Sequence, residues 1–275
     1  MIPVAFEYLR AASADEALAL LREHGDDAKL LAGGHSLIPL MKYRLASPGV
    51  IIDIGRLHDL SYIREDDDVI RIGALTRHSD IEQSEVLRSR LPLLADVASQ
   101  VGDPQVRNRG TIGGSLAHGD PASDLPAAIL ALRASLVLAG PDGQREVAAD
   151  GFFTGFLETA VGPDEMLTEI RVPAATHSSF GFEKFRCRAQ DWAVVGCAVA
   201  VGDGMAGIGL VNMDSRPVRA VAVERAVLDG ATAAEAAASA ADGCDPPEDL
   251  NASAEFRQHL ARVLVRRALE SAGRS

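Results

Sequence analysis

The chain opens with short apolar segments that alternate with helical patterns. Ala17, Leu18 and Leu21 recur at helical spacing between Ser13, a typical N-cap, and Gly25, a typical helix terminator. A second helical pattern is predicted at 37–45. Strands are predicted before, between and after these helices, at 6–9, 29–31 and 50–54.

The middle of the chain mixes hairpin and helix patterns. The acidic run 65–68 separates two apolar segments, 62–63 and 69–74, and predicts a hairpin with a solvated turn. A second hairpin is predicted over the turn 140–143, between strands 134–139 and 145–148. The remaining predicted elements are helices at 76–87 and 92–101 and a strand at 166–172.

A small, polar segment at 174–179 marks a predicted boundary, and the pattern after it is rich in β-strands. Strands are predicted at 180–188, 193–201 and 205–213. An alanine-rich helix at 232–241 and an amphipathic helix at 254–271 close the chain.

One glycine pattern resembles a dinucleotide fingerprint but is predicted not to be one. Gly202, Gly204 and Gly207 give the G-x-G-x-x-G spacing after a strand. The fingerprint must open a helix, whose N-terminus holds the pyrophosphate, whereas 208–212 reads as another strand. We therefore expect a hairpin turn at 203–204.

Composition narrows the function classes. The 275 residues carry a formal net charge of −12, which disfavours a nucleic-acid surface because phosphate binding needs basic side chains. No signal peptide or membrane-spanning segment is evident. The three cysteines are far apart in the sequence, which predicts reduced thiols and excludes a four-cysteine iron–sulfur cluster within the chain.

The most informative residues form two separated Gly-Gly stretches. Ala32-Gly33-Gly34-His35-Ser36-Leu37 follows a predicted strand, and Thr111-Ile112-Gly113-Gly114-Ser115 precedes the polar pair Ser123-Asp124. Paired glycines let backbone amides converge on an anion without side-chain charge, and nearby hydroxyls add donors. Two such loops suit a ligand with two phosphates and a long polar tail.

These stretches, in this order, resemble the FAD-binding medium subunit of the molybdenum hydroxylases, the family of carbon monoxide dehydrogenase and the xanthine dehydrogenases. The resemblance runs from Phe6-Glu7-Tyr8 to the last helix and includes the segment 183–193. It implies an α+β fold with a two-part FAD-binding domain of the vanillyl-alcohol-oxidase (PCMH) type and a C-terminal α+β domain built on an antiparallel sheet with helices. The implied units are 1–55, 56–175 and 176–275.

The resemblance also implies bound FAD and the residues that contact it. Apart from His35, the two Gly-Gly stretches contain no His or Cys that suggests a covalent attachment site, so FAD is expected to be bound non-covalently. The expected contact residues are Ala32, Gly33, Gly34, His35, Ser36, Leu37, Thr111, Gly113, Gly114, Ser115, Ser123, Asp124, Leu167, Lys184 and Trp192. Four of them have ordinary structural alternatives: Asp124 as a helix N-cap, Lys184 as a surface cation, Leu167 as an apolar core residue and Trp192 as a core aromatic. Lys184 is expected to stabilise negative charge on a reduced flavin.

The function implied by the resemblance is electron transfer. A flavoprotein of this kind takes electrons from [2Fe–2S] clusters onto FAD and passes them to a terminal acceptor. Its expected partners are a [2Fe–2S] small subunit and a molybdenum-cofactor large subunit, as a dimer of heterotrimers in the cytoplasm, with membrane association through the complex left open. Two alternatives remain: a stand-alone FAD oxidase of the vanillyl-alcohol-oxidase fold, and a nucleotide-binding module without enzymatic activity.

Overall fold

The first sheet is small and parallel. The structure, a computed structural model, describes residues 2–174, 179–202 and 204–273. Its first elements are β1 (Glu7–Arg10), α1 (Ala14–His24), β2 (Ala28–Leu31), α2 (Leu37–Tyr43) and β3 (Val50–Asp53). The strands pair in the order β1-β3-β2, so the last of them lies in the centre. Because Ser13 and Gly25 cap α1 as predicted, the chain returns directly into β2.

The second sheet is antiparallel and has five strands in the order β4-β5-β10-β6-β7. Its region contains β4 (Ile63–Asp66), β5 (Val69–Gly73), α3 (His78–Gln83), α4 (Glu85–Arg90), α5 (Pro92–Ser99), α6 (Pro104–Arg107), α7 (Ile112–His118), α8 (Asp124–Ala131), β6 (Ser135–Gly140), β7 (Gly143–Ala148), α9 (Ala149–Phe152), β8 (Phe153–Gly155), β9 (Glu158–Thr159) and β10 (Met166–Pro173). Both predicted hairpins are confirmed, as β4-β5 and β6-β7.

The third sheet is also antiparallel, with four strands in chain order. It contains β11 (Ser179–Phe185), β12 (Val195–Gly202), β13 (Met205–Val211) and β14 (Val218–Arg219), followed by α10 (Val221–Leu228), α11 (Ala233–Ala237) and α12 (Ala254–Ser271). The predicted bounds of the last helix are confirmed. β12 and β13 form an antiparallel hairpin, so the G-x-G-x-x-G match is not a dinucleotide fingerprint. Position 203 itself lies outside the described residues.

Helix α8 joins the second and third sheets through one apolar core. Its residues Leu125 to Ala131 are all buried, and β13 approaches so closely that a Cβ at Gly209 would collide with the carbonyl of Ala127. β12 is apolar along almost its whole length because both of its faces are covered, one by this core and the other by the core beneath α12. The α+β class with an antiparallel C-terminal sheet is therefore confirmed.

Two predicted helices differ from those observed. The segment 76–87 breaks at Ser84, whose extended backbone ends α3 while its hydroxyl accepts a hydrogen bond from the amide of Leu87 and caps α4. The alanine-rich segment 232–241 is α-helical only over Ala233–Ala237 and continues as turns. The predicted boundary at 175–176 lies at the edge of the undescribed segment 175–178, so the three-unit division stays a prediction.

The described residues contain no helix that is both long enough and apolar enough to cross a membrane. The three cysteines are free thiols; Cys187 is exposed, Cys197 is buried and Cys244 is half-buried.

Candidate functional site: a cavity between two glycine stretches

The first Gly-Gly stretch lies against the backbone that leads into the second, although the two are far apart in sequence. The backbone of Gly33 lies against the carbonyl of Arg109 and the Cα of Gly110, so any side chain at position 33 would collide with that backbone. Gly34 has a φ of 81°, in the left-handed region that favours glycine. Gly34 is therefore required for the turn, and Gly33 is required for its close contact with the backbone that leads into the second stretch.

A cavity with a volume of about 820 Å³ opens beside this contact. Such a volume lies within the range of small-molecule and cofactor sites. Every residue predicted above to contact FAD lines this one cavity. The structure thus brings the predicted set together, although their contacts with a cofactor stay predictions.

The first stretch offers free hydrogen-bond donors to the cavity. In the described part of the chain, the amides of Gly33, Gly34, His35 and Ser36 donate to no protein acceptor. Gly33, Gly34 and Ser36 are half-buried and His35 is exposed, so these amides need water or a ligand as acceptor, and successive free amides form a site for an anion. This arrangement fits a diphosphate that carries its own negative charge.

The paired glycines of the second stretch offer no free amides, so the expectation that glycine amides of both loops converge on an anion is not met there. The amide of Gly113 donates to the carbonyl of Ala74 at 2.8 Å, and that of Gly114 donates to the hydroxyl of Thr111 at 3.2 Å. The amide of Ser115 donates to the carbonyl of Thr111 at 3.0 Å, within the first turn of α7. At this stretch, small side chains and hydroxyls face the ligand space instead.

A buried ion pair lines another part of the cavity. Lys184 Nζ on β11 lies 2.6 Å from Asp124 Oδ2 on α8, and the two side chains are only 2% and 5% exposed. The surface-cation alternative for Lys184 is therefore wrong. Asp124 is the first residue inside α8, and Ser123 occupies the N-cap position, so the N-cap alternative for Asp124 is wrong too.

The second carboxylate oxygen of Asp124 has no partner. Oδ1 is buried and accepts no hydrogen bond among the described residues, while it belongs to a residue that lines the cavity. Burial raises the pKa of Asp124, and the adjacent ammonium of Lys184 opposes that rise. An orphaned buried acceptor beside a cofactor-sized cavity fits a ligand hydroxyl.

The two apolar residues of the predicted set differ in exposure. Leu167 is buried in β10, where the register with β6 shifts between Leu167 and Glu169, so it belongs to the core and also lines the cavity. Trp192 is 57% exposed, on the loop between β11 and β12, so the core-aromatic alternative is wrong. An exposed indole at a cavity wall is available to a ligand.

His78 is a cavity residue that the sequence did not indicate. Its imidazole is buried, packs against Gly110 and leaves Nδ1 without a hydrogen-bond partner among the described residues. Burial, with smaller contributions from the nearby His35 and Arg107, lowers the pKa of His78 to about 4, so the ring is neutral near pH 7. The sequence at 78–83 has the pattern of an ordinary helix, which gives no sign that the ring lines a cavity.

The fold and this cavity define an α+β protein that binds a dinucleotide-sized cofactor outside the Rossmann class. Residues 4–175 match the FAD binding domain in molybdopterin dehydrogenase, and residues 180–272 match the CO dehydrogenase flavoprotein C-terminal domain. The chain belongs to the family of FAD-binding medium subunits of molybdenum hydroxylases, as its resemblance to that family predicted.

Relatives match the chain from end to end. It is 45% identical to the carbon monoxide dehydrogenase medium chain of Hydrogenophaga pseudoflava, over 99% of this chain and 98% of that one. It is 37% identical to the 6-hydroxypseudooxynicotine dehydrogenase complex subunit alpha of Paenarthrobacter nicotinovorans, over 99% and 96%. A solved structure of the Hydrogenophaga pseudoflava carbon monoxide dehydrogenase, which lacks the Mo-pyranopterin moiety, superposes with a TM-score of 0.96 at 46% identity, over 99% of both chains.

Proposed function

We propose that this chain is the electron-transferring flavoprotein subunit of a molybdenum hydroxylase and that its cavity holds FAD non-covalently. The proposal rests on unpaired polar groups in one cavity. The amides from Gly33 to Ser36 have no protein acceptor, and the buried Oδ1 of Asp124 has no donor. A diphosphate and a sugar-alcohol hydroxyl are the two groups that these donors and this acceptor suit.

Each part of the cavity has a separate role in holding the cofactor. The first stretch receives the diphosphate, and Asp124 Oδ1 accepts a hydroxyl of the ribityl or adenosine side. Ser115 and Ser123 line the same cavity and offer further hydroxyls, while Leu167 and Trp192 supply apolar surface for a ring. When bound, FAD accepts electrons from an iron–sulfur partner and releases them to an oxidant.

Lys184 acts mainly through Asp124. Its ammonium and the carboxylate, 2.6 Å apart, form a neutral pair, so the field that the lysine exerts on the rest of the cavity is largely offset. We therefore assign Lys184 the role of holding Asp124 in position, rather than that of a lone charge for the reduced flavin. The buried pair also ties β11 to α8 and so fixes the cavity wall.

The substrate of the complex is oxidised on another subunit. The relatives named above belong to enzymes that act on carbon monoxide and on 6-hydroxypseudooxynicotine, yet they match this chain over almost its full length. A subunit shared across such different substrates does not select between them. We propose a [2Fe–2S] subunit and a molybdenum-cofactor subunit as partners, in a dimer of heterotrimers in the cytoplasm.

Co-purification tests the proposal. A tagged full-length chain, isolated from its native cell without dissociation, is expected to carry two further polypeptides together with molybdenum, iron and FAD. Native mass spectrometry then reports whether two copies of each chain are present. Isolation of the chain alone, with FAD and with turnover of a substrate, would favour the stand-alone oxidase instead.

A further inference from the structure

The face of the C-terminal sheet that meets α8 carries only small residues over four positions. Gly207 and Gly209 on β13 share this face, since alternate residues of a strand point the same way. Their partners on β12 are Ala200 and Ala198. Both alanines belong to the core that α8 joins, whereas Ile208, between the two glycines, belongs to the core beneath α12. No large side chain therefore keeps the backbone of β13 away from α8.

The two glycines bring the backbones of β13 and α8 into contact. A Cβ at Gly207 would lie 1.9 Å from the carbonyl oxygen of Ala131, and a Cβ at Gly209 would lie 2.0 Å from that of Ala127. Neither glycine has a positive φ, so the closeness of α8, and not the conformation of the strand, requires glycine here. Since ordinary contact begins at 3.4 Å, an alanine at position 209 would push the two elements apart by about 1.4 Å.

Lys184 lies on the same face of the sheet as the glycines. It pairs with Gly196 on β12, which pairs with Val211 on β13, two positions from Gly209. Directly paired residues share a face of a sheet. The distance between β13 and α8 therefore also sets how far Lys184 must reach to contact that helix.

The same face of α8 carries Asp124. Asp124, Ala127 and Ala131 are spaced by three and four residues, so they lie on one side of the helix. The Asp124–Lys184 distance is 2.6 Å, and the lysine, with 2% of its side chain exposed, is too tightly packed to follow a shift freely. A displacement of about 1.4 Å one turn away would stretch the pair to about 4 Å, the outer limit of an ion pair.

A buried glutamate anchors the other end of α8 to the same strand. Glu224 on α10 accepts a hydrogen bond from the amide of Ile208, between the two glycines, and another from Arg133, which follows α8. Arg133 also donates to the carbonyl of Ala206 at 3.0 Å. Charge-assisted bonds of this kind hold the helix against sliding along β13.

We propose that Gly207 and Gly209, together with the Arg133–Glu224 anchor, are positioning residues for the cofactor. They seat the C-terminal sheet on α8 and so hold the Asp124–Lys184 pair in the geometry that binds FAD. None of these four residues lines the cavity, so their effect reaches the cofactor only through α8. This inference rests on the proposed flavin site.

Gly209→Ala in the full-length chain is the first test. Fluorescence titration with FAD is expected to give a Kd about three- to tenfold higher than that of the wild type, because the acceptor oxygen of Asp124 loses its fixed position. At saturating FAD, the visible circular dichroism of the bound flavin is expected to change in the same direction as in Asp124→Asn.

Gly181→Ala is the matched control. A Cβ at Gly181 on β11 would lie 2.2 Å from the carbonyl oxygen of Ala268, so this variant strains a strand–helix contact of the same kind, but against α12. α12 has an exposed side and can move outward, whereas α8 is buried from Leu125 to Ala131. We expect a loss of stability, a Kd for FAD within about twofold of the wild type and an unchanged flavin spectrum.

A double-mutant cycle separates positioning from a general loss of stability. The variant Asp124→Asn/Lys184→Met has no ion pair left to position. In that background Gly209→Ala is expected to change the Kd by less than about twofold. If the glycine acted only through the stability of the chain, its effect would be the same in both backgrounds.

Arg133→Met provides a second variant that does not crowd the core. Its side chain is 31% exposed, and Glu224 keeps Arg219 as a partner. We expect this variant to fold and to raise the Kd for FAD by about two- to fivefold.

Three results would overturn the inference. The first is a wild-type Kd in folded Gly209→Ala; if that variant does not fold, a wild-type Kd in Arg133→Met has the same meaning. The second is an effect of Gly209→Ala that persists in full without the ion pair. The third is a Gly181→Ala variant that weakens FAD binding as much as Gly209→Ala does. A wild-type chain that binds no FAD would instead contradict the proposed function.

Discussion

Breaking the Asp124–Lys184 pair separates its structural role from its role in cofactor binding. With 5% and 2% of the side chains exposed, removal of either partner leaves the other as an uncompensated buried charge. Such a change destabilises a protein by about 3–5 kcal/mol, which is a large part of a typical total of about 5–15 kcal/mol. We expect Asp124→Asn and Lys184→Met each to lose this amount. We expect the double variant to lose less than the sum, because no unpaired charge remains.

Cofactor affinity follows a different pattern in the same variants. Asp124 Oδ1 is the unpartnered acceptor, and the neutral amide oxygen of Asp124→Asn accepts a weaker hydrogen bond than a carboxylate does, so this variant is expected to weaken FAD binding by about 1 kcal/mol, or about fivefold in Kd. The double variant lacks the same carboxylate. Its FAD affinity is therefore expected to stay low even though its stability partly recovers.

Urea unfolding of the FAD-free chain, followed by circular dichroism, measures the free energy of unfolding. Flavin fluorescence, recorded while FAD is titrated into the same preparations, measures the affinity for FAD. The exposed pair Arg266–Glu270 on α12, with 54% and 48% exposed side chains, provides the control; Glu270→Gln is expected to change stability by no more than about 0.5 kcal/mol. The reasoning would be refuted if the single variants at the buried pair changed stability as little as this control does. It would also be refuted if the double variant regained full FAD affinity.

Three further predictions concern the cavity wall. Gly114→Val is expected to abolish FAD binding in a folded chain, because a Cβ there meets only the Thr111 hydroxyl, at 2.8 Å, and the rest of the side chain enters the cavity; full flavin content in the purified variant contradicts this. Trp192 is the only tryptophan, so its fluorescence is expected to be quenched in the FAD-loaded chain and to recover when FAD is removed, and equal emission in both forms places the indole away from the ring. His78 stays neutral in the folded chain down to about pH 4 but takes up a proton near 6.5 when unfolded, so its contribution to stability is fully present above pH 6.5 and falls by about 3 kcal/mol as the pH drops to 4. His78→Asn is expected to flatten this part of the pH dependence of the urea midpoint, and an unchanged slope shows that other groups cause it.

Local signals in the sequence predicted the local structure well. Ser13 and Gly25 cap α1 as expected, and the turn residues at 140–143 place the β6-β7 hairpin. The break at Ser84 was missed because it depends on a hydrogen bond rather than on the spacing of apolar residues. The Ser84 hydroxyl accepts from the amide of Leu87 and so starts a new helix, α4.

The resemblance predicted residues that line one cavity, whereas it did not predict how these residues pair with one another. The Asp124–Lys184 pair joins residues that are 60 positions apart, and no local pattern shows that a lysine on a strand is buried against a carboxylate. The difference between the two Gly-Gly stretches has the same origin. The amide of Gly113 donates to the carbonyl of Ala74, which directly follows β5 and is separated from α7 by four helices, and only the fold reveals that contact.

The central claim is that this chain carries FAD but depends on partner subunits for its electrons. The most direct measurement is the visible absorbance of the bound flavin under anaerobic conditions, after addition of carbon monoxide, an aldehyde, a purine or another N-heterocycle. We expect the flavin of the isolated chain to stay oxidised with all of them, and the flavin of the native complex to bleach with one. Bleaching of the isolated chain by any of these compounds would contradict the account.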